Sequence, residues 1–304
     1  MPITVWGLAI AQALLATGNI LLVAVTALIG KQLASHSALI TLPVALQYLG
    51  MIIATLPAAL LMQKMGRKFG FVVGNCIGLF GIWVALQGLE ASSLMHFASG
   101  SFLIGMAIGT AQQYRFAALD VCSVKQRPRA ISMVMAGGIL AAILGPNLAI
   151  WSRQWFDGNP FVGAFYGLFI LYTLALVLIA SLPLAAPIKN TVKQTTRSYR
   201  ELFKQPLLIA AMASGAIGYA VMVLLMTATP IAMQHDGFPF NNIVWVIQWH
   251  VLGMYVPSFF TGNLIRRFSS RTVILWGCIV LALCVLVNVL GSSYWHYLVG
   301  LLLL

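Results

Sequence analysis

Long apolar stretches separated by short polar breaks run the whole length of the chain. A helix that crosses a bilayer needs about 20 apolar residues. Nine stretches meet that length, at roughly 4–30, 38–62, 69–89, 93–118, 129–150, 162–183, 207–233, 241–265 and 271–291. A tenth begins near Ser293 and stops at Leu304. Hydrocarbon offers no partner for backbone polar groups, so stretches of this length predict helices, and the pattern is that of an all-α membrane protein. The helices differ in polarity. The third, sixth and ninth are the most uniformly apolar and are expected to face lipid. The first, fourth, seventh and eighth carry Asn, Gln, Tyr, His or Arg in their interiors, and are expected to line a cavity.

The breaks alternate in charge. Of seventeen lysines and arginines, fourteen fall in every second break: Lys64, Arg67, Lys68; Lys125, Arg127, Arg129; Lys189, Lys193, Arg197, Arg200, Lys204; Arg266, Arg267, Arg271. The intervening breaks hold only Lys31 and Arg153 as strong bases. Short cytoplasmic loops carry such an excess, so the basic breaks and the N-terminus are expected in the cytoplasm. Met1 to Gly30 lacks a basic leader, and its apolar run is long enough to span, so the first helix reads as an uncleaved insertion signal.

Composition agrees with the membrane reading. The chain is 61% hydrophobic and 7% charged, against about 25% charged in soluble domains. A net charge of +12 raises nucleic acid as a partner. The bases sit at membrane edges rather than along one helix face, which excludes it. Cys76, Cys122, Cys278 and Cys284 have no metal or redox spacing and read as small apolar residues. There is no Asn-x-Ser/Thr sequon, so glycosylation gives no support for a eukaryotic surface protein.

The longest and most polar break, Ala185 to Gln205, divides the chain. We expect a six-helix unit at 1–184, a cytoplasmic loop at 185–206 and an incomplete second unit at 207–304. The two units resemble each other at an offset of about 200 residues. Leu56-Pro57 and the basic turn Lys64-Met65-Gly66-Arg67-Lys68 match Val256-Pro257 and Arg266-Arg267-Phe268-Ser269-Ser270-Arg271. Gly18-Asn19 matches Gly218-Tyr219, and Thr26-Ala27 matches Thr227-Ala228. Six-helix repeats of this kind build transporters.

Three places then resemble the major facilitator superfamily. Ala59 to Lys68 resembles its signature of Gly, three residues, then Asp-Arg-x-Gly-Arg-Lys: Gly66-Arg67-Lys68 is intact, while Ala59, Gln63 and Lys64 replace the Gly, Asp and Arg. Asp120 through Arg127-Pro128-Arg129-Ala130 resembles the family's Asp, loop, Arg-x-Arg-Ala element. Gly137-Gly138 through Gly145-Pro146 resembles the Gly-Pro element of family exporters, with Asn147-Leu148-Ala149 in place of trailing glycines. The resemblance implies twelve helices in two pseudo-symmetric six-helix bundles that rock about a central cavity. Nine to ten are present here. A terminus in hydrocarbon is physically poor, so a truncated or partial sequence is expected.

Candidate working residues follow. Arg115, about a turn inside the fourth span, fits a substrate anchor or gating charge, with Gln112 a turn away; it equally fits snorkelling or pairing with Asp120. His250, near mid-membrane, fits a proton carrier or a neutral hydrogen-bonded core residue. Trp245 and Trp249 share a helix face beside Gln248 and fit a stacking platform for a planar solute, or plain packing. Gln12 and Asn19 share one face of the first helix, and Tyr219 lies midway along the seventh; all three fit cavity positions or interhelical hydrogen bonds. Gly66, Arg67, Lys68, Asp120 and Arg129 fit a cytoplasmic cluster that biases one conformation. Gly145 and Pro146, with Pro57, Pro230 and Pro257, fit kinks that help rocking. Of the five acids, only Asp120 touches a helix end or interior, so coupling is expected to use His250 or a residue beyond Leu304, or to be absent.

These residues support secondary active transport of a small organic solute by alternating access. They fit a proton-linked carrier in a bacterial-type inner membrane, leaning to export of an amphipathic compound. Uptake of a nutrient or vitamin is the alternative, which Arg115 and the tryptophan pair fit as well. An inactive fragment is the third. No metal-ligand cluster, nucleophile–base pair or cofactor loop is visible, so no enzyme, metal or cofactor is expected. The expected partners are the solute, the lipid bilayer and protons, and the expected state is a monomer.

Overall fold

The computed structural model describes residues 1–184, 201 and 203–304. The greater part of the predicted central loop, with Lys189, Lys193, Arg197 and Arg200, lies outside the described residues. Among the described residues eleven α-helices follow one another: α1 (Ile3–Leu33), α2 (Leu42–Met65), α3 (Arg67–Glu90), α4 (Leu94–Ala111), α5 (Tyr114–Asp120), α6 (Arg127–Trp151), α7 (Val162–Ser181), α8 (Pro206–His235), α9 (Phe240–Phe268), α10 (Ser270–Leu290) and α11 (Tyr294–Leu303). No strand occurs among the described residues. Eight membrane-length apolar helices are present among them, α4 and α5 counting as one span. With 29 residues, α9 is long enough to cross, about 43 Å. Its interior carries Asn241, Asn242, Gln248 and His250.

The fourth span differs from the single helix expected at 93–118. It breaks after Ala111, and the chain turns through Gln112 and Gln113 before α5. The Gln113 N–H bonds Thr110 one residue early, at 3.1 Å, which tightens the turn in 3₁₀ fashion. Gln112 and Arg115 therefore do not lie along one uninterrupted helix.

Apolar side chains gain little by leaving lipid for protein, so small residues must let helix backbones meet. On α6, Gly137, Ala141 and Gly145 recur every four residues and form one stripe. A Cβ on Gly137 would stand 2.7 Å from the Ala9 carbonyl oxygen, and one on Gly145 would stand 2.8 Å from that of Thr17. The parallel helix α1 thus lies directly against α6, and Leu8, Leu21, Leu22, Val25 and Ile29 on α1 are fully or almost fully buried. Gly105 and Gly109 of α4 meet the α2 backbone at Gln47 and Met51 in the same way.

The two matched turns share a backbone. Gly66 between α2 and α3 has φ 94°, ψ 157°; Ser269 between α9 and α10 has φ 75°, ψ 154°. Each follows a helix with an internal proline, Pro57 or Pro257.

Burial in the later helices is one-sided along their length. The buried residues of α8 are Met226, Thr229, Pro230 and Met233, and those described on α9 fall between Ile243 and Val251. Both sets lie toward the end away from the basic turns. Most of the remaining apolar surface of α8 and α10 is exposed, as suits helices whose solvent is hydrocarbon.

Candidate solute cavity

Some polar side chains within these spans bond across helices. Asn19 on α1 accepts from Gln47 on α2 at 3.3 Å, and Gln47 is 4% exposed. The next residue, Tyr48, meets the ring of Tyr219 on α8 edge-on, with centroids 6.0 Å apart. Thr26 lies beside Gln47, Tyr48 and Thr227 around a closed space of about 10 Å³, roughly the least that holds a water. Its hydroxyl is buried without a protein partner. Gln12, two turns before Asn19 on the same face, is half-buried.

A seam between α6 and α9 carries the second set. Asn147 donates to Gln248 at 3.4 Å and to its own helix at Ile143 at 2.7 Å. Further along, a Cβ on Gly138 would fall on the ring of Tyr255. Gly138 thus leaves room for an aromatic from the other end of the chain. Pro146 lies within α6, between the Gly145 contact to α1 and the Asn147 contact to α9. Trp249, next to Gln248, is 47% exposed, and Trp245 is similar. The two share a face that looks outward from the seam.

His250 is 1% exposed on α9. Its Nδ1 lies 2.7 Å from the Leu301 carbonyl oxygen on α11. A carbonyl only accepts, so Nδ1 carries the proton and donates. That leaves Nε2 as the free lone pair, and this atom is buried without a partner.

At the basic end, the Arg67 Nε donates to the Asp120 carboxylate at 2.9 Å, joining the start of α3 to the end of α5. Both side chains are partly exposed, 28% and 46%. Gly66, with its positive φ, starts the turn that aims Arg67 there. Lys68 is half-buried, and Arg129 stands apart, facing a recess with Met1, Trp6 and Met133. Among the described residues, no other arginine pairs with Asp120. Arg115 instead leans over the Phe116 ring, 5.1 Å from its centre, with its Nε buried and unbonded. Gln112 is exposed in the α4–α5 turn.

At the opposite end, Tyr297 on α11 donates to Asp236 at 2.6 Å. This hydroxyl, and after it the His235 ring, hold the Asp236 carboxyl below its ordinary range.

Gln47, Tyr48, Asn147 and Tyr255 were not singled out from sequence. The signal available was the adjacent polar pair Gln47-Tyr48 within an apolar span, and the amide of Asn147 where the resemblance led to glycine.

The described residues form a multi-pass helical bundle with polar groups bonded between its helices and an ion pair at one end. The chain matches the Major Facilitator Superfamily over residues 8–304 and belongs to it. It is 38% identical over 292 residues to the riboflavin transporter RfnT of Brucella anthropi, covering 95% of this chain and 73% of that one. It is 27% identical over 268 residues to the uncharacterized MFS-type transporter YddS of Bacillus subtilis, covering 83% and 61%. The nucleoside transporter NupG superposes with a TM-score of 0.71 at 13% identity, over 99% of this chain and 78% of that one. The inward-open xylose transporter XylE of E. coli gives 0.60 at 15% identity, over 99% and 78%. At such identities these two structures speak for the fold alone. The protein is a transporter of the superfamily, acting on a small-molecule solute in a membrane.

Proposed function

We propose that the protein takes up a planar heteroaromatic nutrient of the vitamin class, with riboflavin as the first candidate. The observation that carries this reading is the 38% identity to a riboflavin transporter across 95% of the chain. The residues available to such a solute agree with it. The amides of Asn19, Gln47, Asn147 and Gln248 match the donors and acceptors of a ring edge, and Tyr48, Tyr219 and Tyr255 offer flat apolar surfaces. Gln12, Arg115 and Gln112 extend the polar lining toward the basic end, while Trp249 faces outward from it. Export, toward which the Gly145-Pro146 element leans, is the alternative direction.

In this reading the units 1–184 and 207–304 rock as bodies joined by the 185–206 loop, in a bacterial-type inner membrane. The N-terminus and the basic turns are cytoplasmic, and the protein acts as a monomer. The Arg67–Asp120 pair, with Gly66, Lys68 and Arg129 around it, biases one conformation. His250 carries the coupling proton on Nε2, because Nδ1 is held by Leu301 and, among the described residues, the carboxylates of the spanning helices, Glu90 and Asp120, sit at helix ends. The experiment is riboflavin flux in vesicles with an imposed pH gradient. Flux that responds to the gradient in the wild type, and loses that response in His250→Ala while riboflavin binding persists, supports both parts. Saturable flux with unchanged coupling in His250→Ala removes the histidine and leaves the solute.

A further inference from the structure

The end of the molecule opposite the basic turns carries two strong bases, Lys31 and Arg153, about 120 residues apart in sequence. The fold brings them to one recess. A pocket of about 640 Å³ is lined by both, with Phe161, Phe238, Phe240 and Gln234 among its walls. The Arg153 guanidinium sits over the Phe240 ring, 4.3 Å from its centre. Phe161 meets the same ring edge-on at 5.9 Å. Among the described residues, neither base has a carboxylate within 4 Å, since the ion pairs are Arg67–Asp120 and His235–Asp236. Two unneutralised cations over an aromatic floor attract negative charge and flat rings together.

We propose that this recess is a binding site for planar aromatic anions, separate from the amides and tyrosines of the central cavity. Lys31 and Arg153 take the anionic group, Arg153 in the bidentate manner its fork allows. The phenylalanines take the ring. Lys31, Arg153 and Phe161 come from α1 and the α6–α7 connection, while Gln234, Phe238 and Phe240 come from the end of α8 and the start of α9. A bound anion therefore bridges the early and late helices, and stabilises the arrangement in which they meet at this end. The proposal does not depend on which solute the central cavity carries.

The test uses the full chain in nanodiscs of zwitterionic lipid and a naphthalene disulfonate as probe, read by fluorescence without transport. Saturable binding is expected, weakening as salt is raised. Lys31→Gln and Arg153→Gln should each lower affinity by about twofold to fivefold, the size of one partly screened charge contact. Arg153→Lys should retain most of it. An uncharged naphthalenediol should not compete. Unchanged affinity in both glutamine variants, or equal competition by the diol, overturns the proposal. If Arg153→Gln proves poorly folded, Lys31→Gln at the half-exposed end of α1 and the salt dependence decide. Binding of the disulfonate with no riboflavin flux would sink the proposed solute and leave this site standing.

Discussion

Replacing Gly138 by alanine places a methyl group where Tyr255 of α9 packs on α6. The new Cβ would stand 2.6 Å from the Tyr255 hydroxyl oxygen and closer still to the ring. Ordinary heavy-atom contacts lie near 3.5–4 Å, so the ring or the helix must retreat by about 1.5 Å. Overpacking of this kind costs about 1–3 kcal/mol. At 1.4 kcal/mol per factor of ten, a seam free to part would open about 5- to 150-fold more often. Gln248, in the same seam and 8% exposed, supplies the reporter. With the four native cysteines replaced by alanine, Gln248→Cys is alkylated only when α6 and α9 separate. Adding Gly138→Ala should speed alkylation by that factor, and Tyr255→Ala should return it toward the parent rate, because the pair is coupled. An unchanged rate in Gly138→Ala, or acceleration that Tyr255→Ala leaves untouched, would refute this account of the seam.

Three further outcomes are expected. Ser269 holds φ 75°, ψ 154°, a region that costs residues other than glycine about 1–3 kcal/mol; Ser269→Gly should raise thermal stability, and a drop would show that the Ser269–Thr272 hydroxyl contact matters more. Asp236 lies outside the spans with its carboxyl held below the ordinary value of 3.8. A depressed carboxyl adds stability that is present above that ordinary value and lost as pH falls through the folded one; the melting difference between wild type and Asp236→Asn should stay level from about pH 8 to pH 5 and close below about pH 4. The Arg67–Asp120 pair is partly exposed, so Asp120→Asn should cost at most about 1 kcal/mol in stability. It should slow flux more than it lowers the melting point, and the swap of Arg67→Asp with Asp120→Arg should recover flux; a loss of folding in Asp120→Asn would make the pair structural instead.

Much of the fold was legible because hydrocarbon admits so few structures. The lengths of the apolar runs gave the spans, and the bases gave their alternation. The matched turns at Gly66 and Ser269 were visible as basic, proline-preceded segments before their shared backbone was known. The break at Gln112-Gln113 was not legible, since neither proline nor glycine marks it. Site geometry was less so. Asn19 and His250 were found as polar residues in apolar spans, but their partners, Gln47 and the Leu301 carbonyl, lie 28 and 51 residues away. Asn147 and Gln248 are 101 residues apart. Such pairs depend on which helices become neighbours, and hydropathy carries no record of that. Pairing with Asp120 was one of the alternatives for Arg115, and Arg67 reaches that carboxylate from α3 instead.

The central claim is transport of a planar vitamin-class solute, and reconstitution tests it most directly. The purified chain in liposomes should give saturable uptake of labelled riboflavin above protein-free liposomes, competed by excess unlabelled riboflavin. Uptake no greater than in protein-free liposomes, from folded and correctly inserted protein, would contradict the claim.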